Sequence, residues 1–235
     1  MKKQKPEDRS QKPEDRVQST DSGICTLASG LCYVRCDLKL FGDAVILCGG
    51  KSRRMDFDKS FAKINGRYMI EIIHEKLSLC FENVRLGADS QDRFSSFNLE
   101  VIEDKIKERI GPAAGIYSAL SQATTKYVFV IACDMPLLNT GHIEYMKSAL
   151  AEKDFRPEAL IPMNGGYIEP LYSFYSIDIA NTFAEEISQG NYKIYNILKK
   201  CQALYLEDKH SRLFDENLAM FTNINCAADL ERLLC

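Results

Sequence analysis

The chain has 235 residues, 46% hydrophobic and 27% charged, with a formal net charge of −3. That is enough for one α/β domain of ordinary size with a sizeable core, and the balance is that of a soluble globular protein. A mildly acidic total argues against a general nucleic-acid binder, and no run approaches the ~18 apolar residues of a membrane helix.

Residues 1–42 read as an extension outside the domain. Lys5-Pro-Glu-Asp-Arg9 recurs as Lys12-Pro-Glu-Asp-Arg16. Such polar, proline-containing sequence buries too little apolar surface to offset its ordering entropy, so disorder is expected. Ile24 to Val34 is apolar but too short to span a membrane, and its resemblance to an export signal is faint. The nine cysteines are scattered, in the usage of reduced intracellular thiols. A cytoplasmic location is expected.

From Asp43 onward, strands and helices alternate. Ala44 to Cys48 is a continuous apolar run suited to a buried parallel strand. An amphipathic helix is predicted over Tyr68 to Phe81, and strands over Asn83 to Ala88 and Leu99 to Glu103. Gly111-Pro-Ala-Ala-Gly115 opens a helix to about Ala123, with Pro112 in its first turn. Tyr127 to Ala132 is the strongest strand, and the helix after it starts near Thr140 as N-cap. Further strands are predicted over Ala159 to Met163, Tyr167 to Phe174 (an edge, because of Pro170), Gln202 to Leu206 and Ala219 to Asn223. Helices are predicted over Ile177 to Ile187, Tyr192 to Lys200 and Ala227 to Leu234. This alternation implies an α/β fold: a doubly wound, mostly parallel, Rossmann-like sheet with helices on both faces.

In such sheets ligands sit beyond the carboxyl ends of the strands. Three features fall there: Gly49-Gly50 after the first strand, Asp104, and Asp134. The glycines lead into a basic stretch containing Lys51, Arg53, Arg54, Lys59, Lys63 and Arg67. A strand that breaks into glycines and cations can present backbone N–H groups and positive charge to phosphates. The plainer reading is a surface turn with solvated cations. Neither G-x-x-x-x-G-K-[ST] nor G-x-G-x-x-G is present, so a Walker-type ATPase and a dinucleotide-binding Rossmann enzyme are not supported. Asp134, at the end of a buried strand and before Met135-Pro136, is placed to hold Mg²⁺; a cap or turn aspartate is the bland reading. Asp104 and Lys59 alone are weaker signals.

Leu47-Cys-Gly-Gly-Lys-Ser-Arg-Arg-Met-Asp-Phe-Asp-Lys59 resembles the signature LAGGxSxRMGxDK of the molybdenum cofactor guanylyltransferases. Gly111-Pro-Ala-Ala-Gly115 resembles their GPLAG, Cys133-Asp134-Met-Pro136 their CDxP, and Glu169-Pro-Leu171 their EPL or HPL. Phe221 to Leu230 resembles FxNINTPEDL. The resemblance runs from Asp43 to Cys235, and implies a single domain of nucleotide-diphospho-sugar transferase type that binds GTP and Mg²⁺. It implies transfer of GMP to the terminal phosphate of molybdenum-molybdopterin, with pyrophosphate released. Transient contact with molybdenum-cofactor enzymes or their chaperones goes with that activity. Carried across, Leu47, Cys48, Gly49 and Gly50 lie against the nucleotide, Arg54 and Lys59 meet its phosphates, Gly87 and Asp104 lie near the guanosine, and Asp134 holds the metal.

Three positions depart from the pattern. Cys48 replaces alanine, Gly87 stands where a relative has asparagine (moving that contact to Asp89 or losing it), and Asp56 replaces glycine beside the basic loop. Gly50 favours the guanine branch over a molybdopterin cytidylyltransferase. A sugar-phosphate nucleotidyltransferase of the same fold and a non-catalytic nucleotide-binding adaptor also stay open.

Overall fold

The computed structural model describes residues 24–26, 32–34, 38–49, 59–108, 110–152, 156–224 and 229. The chain divides into two compact units, Met1–Arg35 and Cys36–Cys235. In the first, β1 (Ile24–Thr26) pairs antiparallel with β2 (Cys32–Val34), Ile24 opposite Val34. The remaining expectations for residues 1–37 lie outside the described residues, as do Asp56 and, apart from Asp229, the helix predicted over Ala227 to Leu234.

The second unit opens with α1 (Leu38–Phe41). Phe41 is buried and stacks on Tyr127 at 5.4 Å between ring centroids, so the packed structure begins ahead of Asp43. There follow β3 (Asp43–Leu47), the short hairpin β4 (Lys63–Ile64) and β5 (Arg67–Tyr68), α2 (Met69–Leu77), β6 (Asn83–Ala88), β7 (Val101–Glu103) and α3 (Pro112–Leu120). Then come β8 (Tyr127–Ala132), α4 (Thr140–Ala151), β9 (Ala159–Asn164), β10 (Tyr167–Ile168), β11 (Tyr172–Ser176), α5 (Ala180–Ser188), α6 (Ile194–Leu198), β12 (Ala203–Leu206) and α7 (Asp208–Ser211).

The main sheet has the order β10–β9–β11–β8–β3–β6–β7, with β12 also paired to β9. β3 runs parallel to both β6 and β8, β7 parallel to β6, and β12 parallel to β9. β11 is antiparallel to β8 and β9, and β10 to β9. The side chains of β3 and β8 alternate between two cores. Ala44, Ile46, Phe129 and Ile131 pack with Ile70, Ile73 and Leu77 of α2 and Ile143 and Met146 of α4. Val45, Leu47, Val128 and Val130 pack with Ile116 of α3, Phe183 of α5 and Ile197 of α6. Burial on both faces is why these strands read as continuous apolar runs. The chain winds from β3 out to β6 and β7, then returns to place β8 on the other flank of β3, making the β3/β8 boundary the topological switch point.

Several expectations are corrected. The helix expected over Tyr68 to Phe81 is Met69–Leu77: at its start Arg67–Tyr68 completes the hairpin whose turn, Asn65-Gly66, has φ of 50° and 82° at its two central residues, and at its end the Leu79 and Cys80 N–H groups close tighter turns onto the Lys76 and Leu77 carbonyls. The N-cap of α4 is Asn139, whose side chain accepts from the His142 N–H at 3.0 Å, and not Thr140. Pro170 does not sit in an edge strand. It separates β10 from β11, and β11 lies inside the sheet between β8 and β9. Ala219–Phe221 is a 3₁₀ turn and not a strand, entered through Leu218 at φ 54°.

Candidate active site

Four parallel strands, β7, β6, β3 and β8, end side by side, and backbone hydrogen bonds join their last residues into a floor. The Asp104 N–H donates to the Ala88 carbonyl at 2.8 Å, the Cys48 N–H to the Gly87 carbonyl at 2.8 Å, and the Cys133 N–H to the Leu47 carbonyl at 3.2 Å. Leu47, Cys48, Gly49, Gly87, Asp104 and Asp134 are thereby brought to one end of the sheet. Gly50 and Arg54 lie outside the described residues.

The side chains divide into those that build the floor and those that face outward. Leu47 is buried, and its Cδ2 lies 2.9 Å from where a Cβ on Gly87 would stand and 3.0 Å from one on Gly115. Both glycines make room for Leu47, and Gly87 also for Val45, whose Cγ1 would lie 3.1 Å away. Cys48 is also buried, its thiol donating to the Ile46 carbonyl at 3.5 Å. Gly49 is exposed, with nothing among the described residues within 4 Å of where a Cβ would be.

Lys59 begins a 3₁₀ turn (Lys59–Phe61) and its Nζ donates to Asp134 Oδ2 at 3.2 Å. The pair is partly shielded, with the side chains 25% and 15% exposed. The Asp134 carbonyl accepts the Ile224 N–H at 2.7 Å, which ties the loop after β8 to the segment around Ile224. On the other flank the Asp104 carboxyl is half-buried, and its Oδ1 has no hydrogen-bond partner among the described residues. Burial, and then the neighbouring Asp89 charge, push its pKa above the ordinary carboxylate value, with Lys107 partly opposing. The Lys105 N–H that follows donates to Ser118 Oγ of α3 at 2.9 Å.

The Glu169-Pro-Leu171 segment borders the end of β8, since the Leu171 carbonyl accepts the Ala132 N–H at 3.1 Å. Glu169 accepts from Asn164 Nδ2 at 3.0 Å, and burial raises its pKa.

Sequence reasoning misses Arg93 and Ser60. Arg93 Nη1 donates to the Cys48 carbonyl at 2.9 Å and to Asp89 Oδ1 at 3.2 Å, and Nη2 donates to Ser60 Oγ at 3.2 Å. Ser60 Oγ in turn donates to the Cys48 carbonyl at 3.2 Å. Arg93 sits in a polar stretch without periodicity, and its partner at Cys48 is 45 residues away. No local pattern marks it.

Among the described residues, no three His, Cys, Asp or Glu side chains cluster as a protein-only metal site. The arrangement still fits magnesium, which takes one or two carboxylates and completes its shell with water and phosphate oxygens. Asp134 supplies one carboxylate at the open end of the strands.

The model of the MobA-like NTP transferase domain matches residues 44–205 of the chain. A molybdenum cofactor guanylyltransferase of Syntrophotalea carbinolica is 34% identical over 192 residues, covering 82% of this chain and 90% of that protein. A probable molybdenum cofactor guanylyltransferase of Peptoclostridium acidaminophilum is 35% identical over 199 residues, covering 83% and 89%. The crystal structure of molybdopterin-guanine dinucleotide biosynthesis protein A from Archaeoglobus fulgidus superposes with a TM-score of 0.69 at 30% identity, covering 81% of this chain and 95% of that one. With the sheet, its switch point and these likenesses in agreement, the chain belongs to the MobA-like NTP transferase family, among the molybdenum cofactor guanylyltransferases.

Proposed function

We propose that the chain transfers GMP from GTP to the terminal phosphate of molybdenum-molybdopterin, with residues 43–235 acting as one domain. An oxygen of the acceptor phosphate attacks the α-phosphorus of GTP. The bond to the bridging oxygen breaks, and pyrophosphate leaves with the electron pair. The observation that carries this reading is the Lys59–Asp134 pair beside the exposed Gly49 at the β3/β8 switch point.

The reaction needs in-line positioning and neutralisation of phosphate oxygens more than a covalent intermediate on the protein. Lys59 and Arg54 supply positive charge to the phosphates. The backbone of Leu47, Cys48, Gly49 and Gly50 lies against the nucleotide, with Gly87 and Asp104 on the guanosine side. Asp134 would hold Mg²⁺, which when bound neutralises phosphate oxygens and stabilises the departing pyrophosphate. Lys59 then exchanges its carboxylate partner for phosphate. A cytoplasmic site of action, where nucleoside triphosphates are abundant, and hand-over of the product to molybdenum-cofactor enzymes or their chaperones complete the reading.

The test is turnover of the full chain with GTP, Mg²⁺ and molybdenum-molybdopterin, following pyrophosphate and the dinucleotide product. Competition binding against CTP, UTP and ATP runs beside it. Guanine discrimination by hydrogen bonds is expected to be large, because the wrong base leaves polar groups unpaired. CTP binding as tightly as GTP moves the chain to cytidylyl transfer, and GTP binding without turnover makes it an adaptor.

A further inference from the structure

Two donors converge on one carbonyl at the edge of the site. The Cys48 oxygen accepts from Arg93 Nη1 at 2.9 Å and from Ser60 Oγ at 3.2 Å, and Arg93 Nη2 braces Ser60 Oγ at 3.2 Å. The guanidinium is itself held, by Asp89 Oδ1 at 3.2 Å and by the Phe94 ring 4.9 Å below it. A trans peptide is planar, with its C=O and N–H pointing in opposite directions. Fixing the Cys48 carbonyl on the Arg93 side therefore fixes the Gly49 N–H on the other. That N–H donates to no group among the described residues, and none of them lies within 4 Å of where a Gly49 Cβ would be.

We propose that Arg93 is a positioning residue for guanylyl transfer: it locks the Cys48–Gly49 peptide so that the Gly49 N–H faces the phosphates of the nucleotide. The cation on the carbonyl also polarises the peptide and strengthens the N–H as a donor, since hydrogen bonds in series reinforce one another. Arg93 acts through the backbone and needs no contact with the ligand. Ser60 is the second brace of the same peptide. This inference rests on the transfer reading and adds to it the device that aims one backbone donor.

The experiment is calorimetric titration of GTP, and separately of inorganic triphosphate, into the full chain and into Arg93→Met, Arg93→Lys and Ser60→Ala, with a thermal melt of each. A hydrogen bond to a charged group corresponds to roughly tenfold or more in affinity. Arg93→Met is expected to weaken GTP and triphosphate alike by about tenfold. Arg93→Lys, which keeps the charge but not the fork of donors, should fall between it and the parent, and Ser60→Ala should lose about threefold. A positioning role also leaves the salt dependence of binding close to the parent's, because no ligand-contacting charge is removed. A folded Arg93→Met that binds triphosphate as tightly as the parent overturns the inference while the transfer reading stands. If Arg93→Met does not fold, unchanged binding by Ser60→Ala overturns it instead. A parent that binds neither GTP nor triphosphate overturns the transfer reading and this inference with it.

Discussion

Lys59 Nζ and Asp134 Oδ2 stand 3.2 Å apart across 75 residues of sequence, so the turn Lys59–Phe61 is held by charge against the end of β8. The ion pair is partly solvated, and its loss should cost the fold only about 1 kcal/mol. In the proposed transfer the same carboxylate would hold a metal, a role worth several kcal/mol of charge stabilisation. Asp134→Asn is therefore expected to melt close to the parent while pyrophosphate release falls by about a hundredfold or more. Turnover within a few-fold of the parent would remove Asp134 from the metal-holding role.

Leu47 Cδ2 is confined by two glycines at once, with a Cβ on Gly87 reaching to 2.9 Å of it and one on Gly115 to 3.0 Å. In Gly115→Ala alone, Leu47 can swing away from the new methyl at a cost of about 1 kcal/mol; Gly87→Ala also meets the buried Val45 Cγ1 at 3.1 Å and should cost more. With both alanines present no such retreat remains. The double variant is expected to lose about 3 kcal/mol or more, exceeding the sum of the singles. Adding Leu47→Ala to the double variant should recover part of that loss. Denaturant melts of the series give the comparison, and strict additivity would contradict the shared confinement.

Asp104 is a half-buried carboxyl whose ionisation works against the fold. Burial first, and Asp89 second, raise its folded pKa above the unfolded value of 3.8. Ionisation is thus harder in the folded chain, so stability falls as pH rises from 3.8 through the folded pKa and stays lowered above it. Asp104→Asn should melt a few degrees higher than the parent at pH 7, roughly 2–4 °C per kcal/mol at this size. The advantage should fade toward pH 4. The expected cost in function is weaker GTP binding.

Asp43, at the opposite end of the sheet, has the reverse sign. Burial alone would raise its pKa, but hydrogen bonds from the Thr124 and Thr125 N–H groups, Asn83 and the Thr124 hydroxyl outweigh it and lower the value below 3.8. Its contribution to stability is present above pH 3.8 and is lost as pH falls through the folded pKa. Asp43→Ala strands those donors in a buried setting and should cost about 3 kcal/mol near pH 7, with a smaller deficit in acid. Melts between pH 3 and 7 report both aspartates.

These two residues also show where the sequence is legible. Tyr127–Ala132 can be delimited to the residue, because a strand packed on both faces leaves a run of apolar side chains. Asp43 belongs to β3 yet looks like a loop residue, since the donors that make its burial tolerable come from residues 40 and more away. The strand-end rule brings Gly49, Asp104 and Asp134 together from sequence alone. Arg93 escapes it because its bond into the floor goes to the Cys48 backbone carbonyl, which leaves no trace in side-chain pattern. Ala219–Phe221 misleads for a related reason: three apolar residues suit a strand, but the left-handed backbone at Leu218 turns them into a 3₁₀ turn.

During synthesis, Ile224 leaves the ribosome long after every strand of the site's floor has been made. Its N–H nevertheless closes on the Asp134 carbonyl at 2.7 Å. A nascent chain can pair β3, β6, β7 and β8 as they emerge, but the loop carrying Asp134 gains this tether only once Ile224 is free to reach it. Chains cut short between Leu206 and Ile224, by premature termination or by proteolysis, would therefore still carry every strand of the sheet while lacking one fastening of the carboxylate loop. Truncated products that still look folded should accordingly be the ones that fail in transfer.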